Sequence, residues 1–347
     1  MEGISKRLVA WYLQNHRNLP WRDTNDPYLI WISEIILQQT QVTTGTAYYL
    51  RITQEYPAVG KLAAANLDEL LKLWQGLGYY SRARYMHQAA QQIMSQHQGR
   101  FPDTYKKIRS LKGIGDYTAA AIASLAFNLP HAAVDGNVYR VIARLFGIDT
   151  PIDNNEGKKA FQRLADQLLD PLQPGSHNQA MMELGALVCR PANPLCDQCP
   201  LQPFCGARRL GIQSQLPVKS RKTQTRMRHL NYILVSYDNL LFIAQRHDND
   251  IWRNLFELPL VESEKELNDA ELVMLATGLV SNDDPVEVVS INRTKHLLSH
   301  QTLLLSFTHL KPASQETSPS KWMAVDPKDL ANYAFPKPIA DYLANKF

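Results

Sequence analysis

Four cysteines are the full complement of this 347-residue chain, and all of them lie between Cys189 and Cys205 in the pattern C-x6-C-x2-C-x5-C. Four thiolates on one short loop can enclose a single metal centre, either a tetrahedral zinc or an iron–sulfur cube. Cys196 and Cys199 form the one C-x2-C pair, whereas zinc ribbons usually present two. That difference favours a [4Fe–4S] cluster held by Cys189, Cys196, Cys199 and Cys205. A disulfide framework fits poorly in a chain of this length with no further cysteine. Met1 to Arg22 carries a helical pattern (Ile4, Leu8, Trp11, Tyr12) interrupted by Lys6, Arg7, His16 and Arg17, so it lacks the apolar core of a secretory leader. A reducing, cytoplasmic and nucleoid-associated setting is expected, with no membrane-spanning segment.

Two carboxylates stand out next. Glu34 lies in Leu29-Ile30-Trp31-Ile32-Ser33-Glu34-Ile35-Ile36-Leu37, a helix apolar nearly all round and therefore buried. Desolvation should raise its pKa, which suits it to hold a proton at neutral pH and deliver it. The plainer alternative is a glutamate that reaches a structural arginine. Asp135, in Ala133-Val134-Asp135-Gly136-Asn137-Val138, reads by default as an N-cap. Taken together, one dry carboxylate and one at a helix start are what a reaction through an oxocarbenium-like sugar cation would use. Between them in sequence lies Leu111-Lys112-Gly113-Ile114-Gly115-Asp116-Tyr117-Thr118, a glycine turn between two helices that can offer backbone N–H groups to a phosphate.

The elements that must position these groups fall into two halves, as a chain of this length suggests. The first half reads as helix. Asp26-Pro27 opens a helix running to about Thr40, and Asn66 with Asp68 and Glu69 opens another that ends at Gly76-Leu77-Gly78. Further helices are expected at about 81–97, 104–110, 116–127, 137–146, 155–169 and 176–188. Between Gly206 and Tyr237 there are Arg208, Arg209, Lys219, Arg221, Lys222, Arg226 and Arg228 but no acid, which suits a basic linker over 211–228 or contact with phosphates. Net charge is only +4, so a nucleic-acid partner is permitted rather than demanded. Beyond the linker the period changes. Asn231–Tyr237 and Leu240–Arg246 read as strands joined by Asp238-Asn239, with strands also near 286–291, 302–310 and 321–325 and helices near 265–276 and 337–345.

In order along the chain, Ser33-Glu34-Ile35-Ile36-Leu37-Gln38-Gln39-Thr40-Gln41-Val42, the hairpin 111–118, Val134-Asp135-Gly136-Asn137-Val138 and the four-cysteine loop resemble the endonuclease III superfamily of DNA glycosylases, and within it the adenine-removing branch. The resemblance is strong over residues 1 to about 210. It implies an all-α helix-hairpin-helix glycosylase domain over 1–210 (a six-helix barrel plus an iron–sulfur cluster module, with the active site in the cleft between them). An α+β Nudix (MutT)-like lesion-recognition domain over 229–347 would follow. The implied activity is removal of adenine mispaired with 8-oxoguanine or guanine in double-stranded DNA, by base flipping, N7 protonation and hydrolysis of the N-glycosidic bond.

The resemblance also implies roles. Glu34 would protonate adenine and help position water, Asp135 would stabilise the cationic sugar, and Tyr117 and Asn137 would support both. Arg17, Trp21, Arg22 and Leu37 would line the adenine pocket. Gln38, Gln39, Thr40 and Tyr79 would probe the duplex, and Lys112, Gly113 and Gly115 would meet its backbone. Arg190, Arg208 and Arg209 are well placed in sequence for phosphates. Bifunctional members carry a lysine in the hairpin where this chain has Tyr117, which argues for a monofunctional enzyme. Trp252-Arg253-Asn254-Leu255-Phe256-Glu257-Leu258-Pro259 resembles the start of a Nudix domain, yet no R-E-x-x-E-E metal box follows, so pyrophosphate hydrolysis is not expected. Leu298-Ser299-His300 matches a Phe-Ser-His loop that contacts 8-oxoguanine, with Leu298 in place of the aromatic residue. A monomer handing its product to downstream base-excision repair proteins is expected. The rival readings are an endonuclease III-like glycosylase/AP lyase and a non-catalytic iron–sulfur protein that binds DNA or senses redox state.

Overall fold

The computed structural model describes residues 2–220, 225–280, 285–313 and 322–347. Arg221 and Lys222 of the basic stretch, and residue 321 at the head of the last expected strand, lie outside them. The chain forms two compact units, Met1–Ala64 with Tyr85–Lys222 and Ala65–Arg84 with Thr223–Phe347. In chain order the helices are α1 (Glu2–Asn15), α2 (Pro27–Leu37), α3 (Val42–Glu55), α4 (Val59–Ala63), α5 (Leu67–Leu73), α6 (Ser81–Gln96), α7 (Tyr105–Arg109), α8 (Asp116–Phe127), α9 (Gly136–Phe146), α10 (Asn155–Leu168), α11 (Pro174–Leu187) and α12 (Gly206–Leu210). By its contacts the segment carrying α5 groups with the second unit, where Lys72 Nζ donates to Tyr333 O at 2.8 Å and Asp68 accepts from Gln245 Nε2 at 2.9 Å.

In the first unit, α2 starts as its sequence predicts. The Asp26 side chain accepts from Tyr28 N, Pro27 takes the first helical position, and Ile30 to Ile36 are all buried. It ends three residues before the expected Thr40, because the chain leaves the helix at Gln38 and passes through a left-handed Gln39 (φ 57°). Helix α3, which the sequence did not suggest, follows at once. Val42-Thr43-Thr44-Gly45-Thr46 is a poor helix former, but Gly45 lets α3 settle on α2. A Cβ there would come 2.9 Å from Leu37 Cδ2.

Helices α1, α9, α10 and α11 share a core with the cysteine loop, built around Leu8, Val141, Phe161, Leu184 and Leu201. Ser5 Oγ and the buried His177 Nδ1, 2.8 Å apart, tie α1 to α11. Where α9 begins, α11 approaches so closely that a Cβ on Gly185 would stand 2.6 Å from Asn137 Cβ.

The second unit is built on a mixed sheet, with α13 (Asp269–Val280) and α14 (Lys337–Ala344). Strands β1 (Arg226–Tyr237), β2 (Leu240–Gln245), β3 (Phe256–Glu257), β4 (Leu260–Ser263), β5 (Val286–Leu297), β6 (Gln301–Pro312) and β7 (Met323–Val325) give the order β3-β2-β1-β6-β5, with β4 on β1 and β7 on β2. Strand β1 runs parallel to β6 and antiparallel to β2. Asp238 (φ 46°) and Asn239 (φ 59°) make the two-residue hairpin turn the sequence predicts. Both faces of β1 are covered: Leu230, Tyr232 and Leu234 join Ile339 and Leu343 of α14, while Ile233 and Val235 join Ala276 and Val280 of α13. Because β1 begins at Arg226, the end of the expected linker is strand. Arg228 is buried and paired with Glu262 Oε2 (2.6 Å) and Asp250 Oδ2 (2.7 Å), so it is not free for phosphate.

The Gly185 contact yields a prediction. Gly185→Ala should lower the melting temperature by the equivalent of about 1–3 kcal/mol, since α11 must move off α9. Gly278→Ala on α13, where a Cβ would meet open space, should hold or raise it, by up to about 1 kcal/mol. Equal effects at the two positions in thermal melts would contradict the close approach.

Candidate active site

A cavity of about 470 Å³ in the first unit draws its walls from α2, α8, α9, α11 and the segment before α2. Eleven residues singled out in the sequence line it together: Arg17, Trp21, Arg22, Glu34, Leu37, Gln38, Gln39, Thr40, Tyr117, Asp135 and Asn137. They span more than a hundred positions of sequence, and only the packing of four helices gathers them.

Glu34 is 8% exposed. Burial pushes its pKa up to about 7, a hydrogen bond from Tyr117 pulls it back, and the charge of Asp135 pushes it up again. Tyr117, on the first turn of α8, also lies 3.2 Å from Met182 Sδ, and burial holds its phenol well above the usual range. Asp135 is both N-cap and pocket wall. Its Oδ1 accepts from Val138 N and its Oδ2 from Asn137 Nδ2, each at 2.8 Å. Burial raises its pKa, while those hydrogen bonds and the Arg140 charge oppose the rise.

Arg140 was not anticipated. It holds the start of α9 by donating to Asn137 Oδ1 (2.7 Å), Gly185 O (2.8 Å) and Cys189 O (2.7 Å). Glu183 was missed too. Only 1% exposed, it accepts from Arg17 Nη2 at 2.7 Å and Arg22 Nη2 at 2.6 Å. Burial alone would raise its pKa, but the two guanidiniums hold it down to about 2. The signal that could have found it is the one used for Glu34, a lone acid in an apolar helical run: Met181-Met182-Glu183-Leu184.

The other expected residues lie elsewhere. Gly113 (φ 77°) turns between α7 and α8 against Tyr85, and Gly115 caps α8. The Lys112 amide donates to Gln92 Oε1 at 2.7 Å, and the lysine ammonium sits 5.2 Å from the Tyr85 ring centre, so none of the three reaches the cavity. Tyr79, Leu298, Ser299 and His300 line a separate cavity of about 390 Å³ in the second unit.

None of the four cysteines is disulfide-bonded, and all of them line one small cavity with Arg144 and Arg208. Arg144 Nη1 stands 3.5 Å from Cys189 Sγ. Burial, and then the neighbouring thiols, push Cys199 up to about 11. A cationic centre is what such a donor set would need in order to ionise. Among the described residues no group of three or more His, Cys, Asp or Glu is arranged to hold a single metal ion. Arg208 pairs with Asp197 at 2.9 Å, while Arg190 and Arg209 are exposed. No helix among the described residues is long and apolar enough to cross a membrane.

Comparison with known proteins finds two domains and keeps residues 65–84 within the first. Residues 32–167 match the HhH-GPD superfamily of base excision DNA repair proteins, and residues 231–345 match the NUDIX domain. The chain is 33% identical to an adenine DNA glycosylase of Buchnera aphidicola (strain Bp), covering 86% of this chain and 83% of that one. It is 44% identical to the adenine DNA glycosylase of Rattus norvegicus over 62% of its own length but only 43% of the relative's. Among solved structures, a thermostable thymine-DNA glycosylase superposes with a TM-score of 0.56 at 30% identity, over 60% of this chain and 96% of that one. A trapped endonuclease III–DNA covalent intermediate does so at 0.52 and 22% identity over the same shares, a likeness of fold.

The protonation of Glu34 sets a pH dependence. Its folded pKa of about 7 exceeds the ordinary 4.5, so the folded state binds more protons between those values and loses stability as pH rises through them. The loss is on the order of 3 kcal/mol at about 1.4 kcal/mol per pKa unit. Glu34→Gln should therefore melt well above wild type at pH 8, with the gap shrinking by pH 5. A gap independent of pH would contradict the burial.

Proposed function

Because the chain belongs to the adenine DNA glycosylases, within the HhH-GPD superfamily of base excision DNA repair proteins, we propose that it is a monofunctional glycosylase. In this reading it excises adenine mispaired with 8-oxoguanine or guanine from duplex DNA. The observation that carries the reading is one cavity holding a carboxyl poised near neutrality, Glu34, beside a second carboxylate fixed at a helix start, Asp135.

The target adenine is flipped out of the stack into this cavity. Glu34, protonated in a large fraction of molecules at neutral pH, gives its proton to N7, so adenine leaves as a neutral base. Asp135, oriented by Val138 N and Asn137, stabilises the sugar cation. Water completes the hydrolysis, with Glu34, now ionised, positioning it. Arg17, Trp21, Arg22 and Leu37 form the walls around the base, and Glu183 orients the two arginines. Gln38, Gln39 and Thr40, on the turn that ends α2, suit contacts with the duplex at the mouth. Monofunctional action is supported by Tyr117 at the hairpin position and by the lack of any lysine among the described lining residues, which leaves no amine to form a Schiff base.

Outside the cavity, the glycine turn of Lys112, Gly113 and Gly115, with exposed Arg190 and Arg209, meets phosphates. Tyr79 contacts the duplex, and Leu298, Ser299 and His300 meet the base opposite the adenine. The second unit is the domain that reads that base. Cys189, Cys196, Cys199 and Cys205 are the ligands of a [4Fe–4S] cluster, supported by the one cavity they all line. Bound there, it would cross-link the loop through the four thiolates. The protein acts as a monomer on nucleoid DNA and passes abasic sites to downstream base-excision repair enzymes.

Single-turnover release of adenine opposite 8-oxoguanine, guanine or thymine tests the activity. Wild type should release it fastest opposite 8-oxoguanine, and Glu34→Gln should lose about a hundredfold or more. Tight binding without release would favour the non-catalytic rival, and strong borohydride trapping of an enzyme–DNA adduct the lyase. Protein purified without oxygen should absorb near about 400 nm, a band that each Cys→Ser change diminishes. Its absence would favour zinc.

A further inference from the structure

The cavity that carries Leu298, Ser299 and His300 has a wall that the sequence comparison with its family does not assign. Besides those three residues it is lined by Tyr79, Asp250 and Trp252. Trp252 adopts φ 63°, a left-handed backbone that a bulky aromatic residue rarely takes and that persists only where surrounding structure enforces it.

Here the enforcement is visible on every side. Asp250 is held by Arg228 Nη2 at 2.7 Å and Arg246 Nη2 at 2.8 Å. Arg253 O accepts from Arg84 Nη1 at 2.7 Å. Asn254, itself at φ 66°, donates its N–H to Arg246 O at 2.7 Å and accepts at its carbonyl from Gln245 Nε2 at 3.2 Å. The two arginines that grip Asp250 are both buried, so the turn is anchored in the sheet rather than on the surface. The indole, like Leu298, packs against the edge of the core, and its ring centre lies 6.2 Å from that of His296. Leu298 lies on the tight turn to β6, where its N–H donates to Gln301 O at 2.8 Å.

We infer that Trp252 supplies the aromatic face against which the base opposite the target adenine packs, the contact that Leu298 does not give. This rests on assigning the cavity to that base. Tyr79, 46% exposed and at φ 47°, offers a second aromatic surface. The Ser299 and His300 side chains, 3.3 Å apart, form the polar edge. Stacking on an aromatic ring is tolerant of base identity, whereas hydrogen bonding at a polar edge is not. Trp252 therefore grips the opposite base whichever purine it is, and Ser299 distinguishes between purines.

The test is the affinity of the full-length protein for duplexes carrying an uncleavable adenine analogue opposite 8-oxoguanine or guanine. Trp252→Leu should weaken both complexes about tenfold, within the range of one lost base–aromatic stack, and leave their ratio unchanged. Trp252→Phe should recover most of the loss, as should Leu298→Phe placed in the Trp252→Leu background. Ser299→Ala should weaken the 8-oxoguanine complex selectively. Binding by Trp252→Leu within twofold of wild type, while Ser299→Ala loses selectivity, overturns the role of Trp252 and keeps the cavity assignment. Indifference to Ser299→Ala and His300→Ala as well overturns the assignment itself. Should Trp252→Leu fold poorly, Leu298→Phe alone decides. With Trp252 already giving the face it changes affinity less than twofold, and a tenfold gain would show that the face was missing.

Discussion

Desolvation acts on two glutamates in one cavity and leaves them in opposite states, and the chemistry of the site depends on that difference. Glu34 and Glu183 both lie out of water. Glu34 has a phenol and another carboxylate for company and titrates near 7, whereas Glu183 has two guanidiniums and stays ionised to about 2. A buried charge is tolerated where it is paired and is neutralised where it is not. One acid thus becomes a proton donor, and the other becomes a fixed anchor for the arginine wall. Environments that drive like groups apart in pKa are how a single fold assigns acid and base roles at one pH.

Holding that arrangement requires helices to meet at fixed spacing. The start of α9 carries Asp135 and Asn137, and it is fixed by the glycine contact at Gly185 and by Arg140. Arg140 bridges Asn137 and the carbonyls of Gly185 and Cys189. One turn further along α9, Arg144 donates to Arg190 O at 2.7 Å and Pro191 O at 3.0 Å, so the cysteine loop is laced to the same helix. Folding of that loop and placement of the carboxylate share their hydrogen bonds. In the second unit a comparable lattice of Arg228, Arg246, Asp250, Glu257 and Glu262 stiffens the sheet edge next to the other cavity.

What could be read from the sequence was local. The apolar run around Glu34 implied burial and a raised pKa, Asp135 before a helix implied a cap, and Asp238-Asn239 implied a tight hairpin. Each of these signals is complete within about ten residues. Helix α3 escaped notice because its threonines argue against helix, and only the fit of Gly45 onto Leu37 overrides them. The pairing of Glu183 with Arg17 and Arg22 joins positions more than 160 apart, so no spacing in the sequence announces it. For the same reason Trp252 could be seen as part of a domain signature but not as a neighbour of Leu298.

The early end of α2 has an electrical meaning. By stopping at Leu37 the helix leaves Glu34 in its last turn, at the pole where unpaired carbonyls gather negative charge, while Asp135 stands at the opposite, positive pole of α9. The two macrodipoles therefore sort the proton: they discourage ionisation at Glu34 and favour the anion at Asp135. Lengthening α2 by a single turn would carry its negative pole past Glu34 and weaken this bias, while recoiling Gln38, Gln39 and Thr40, which line the cavity. Helix length is thus itself a determinant of proton affinity in this protein.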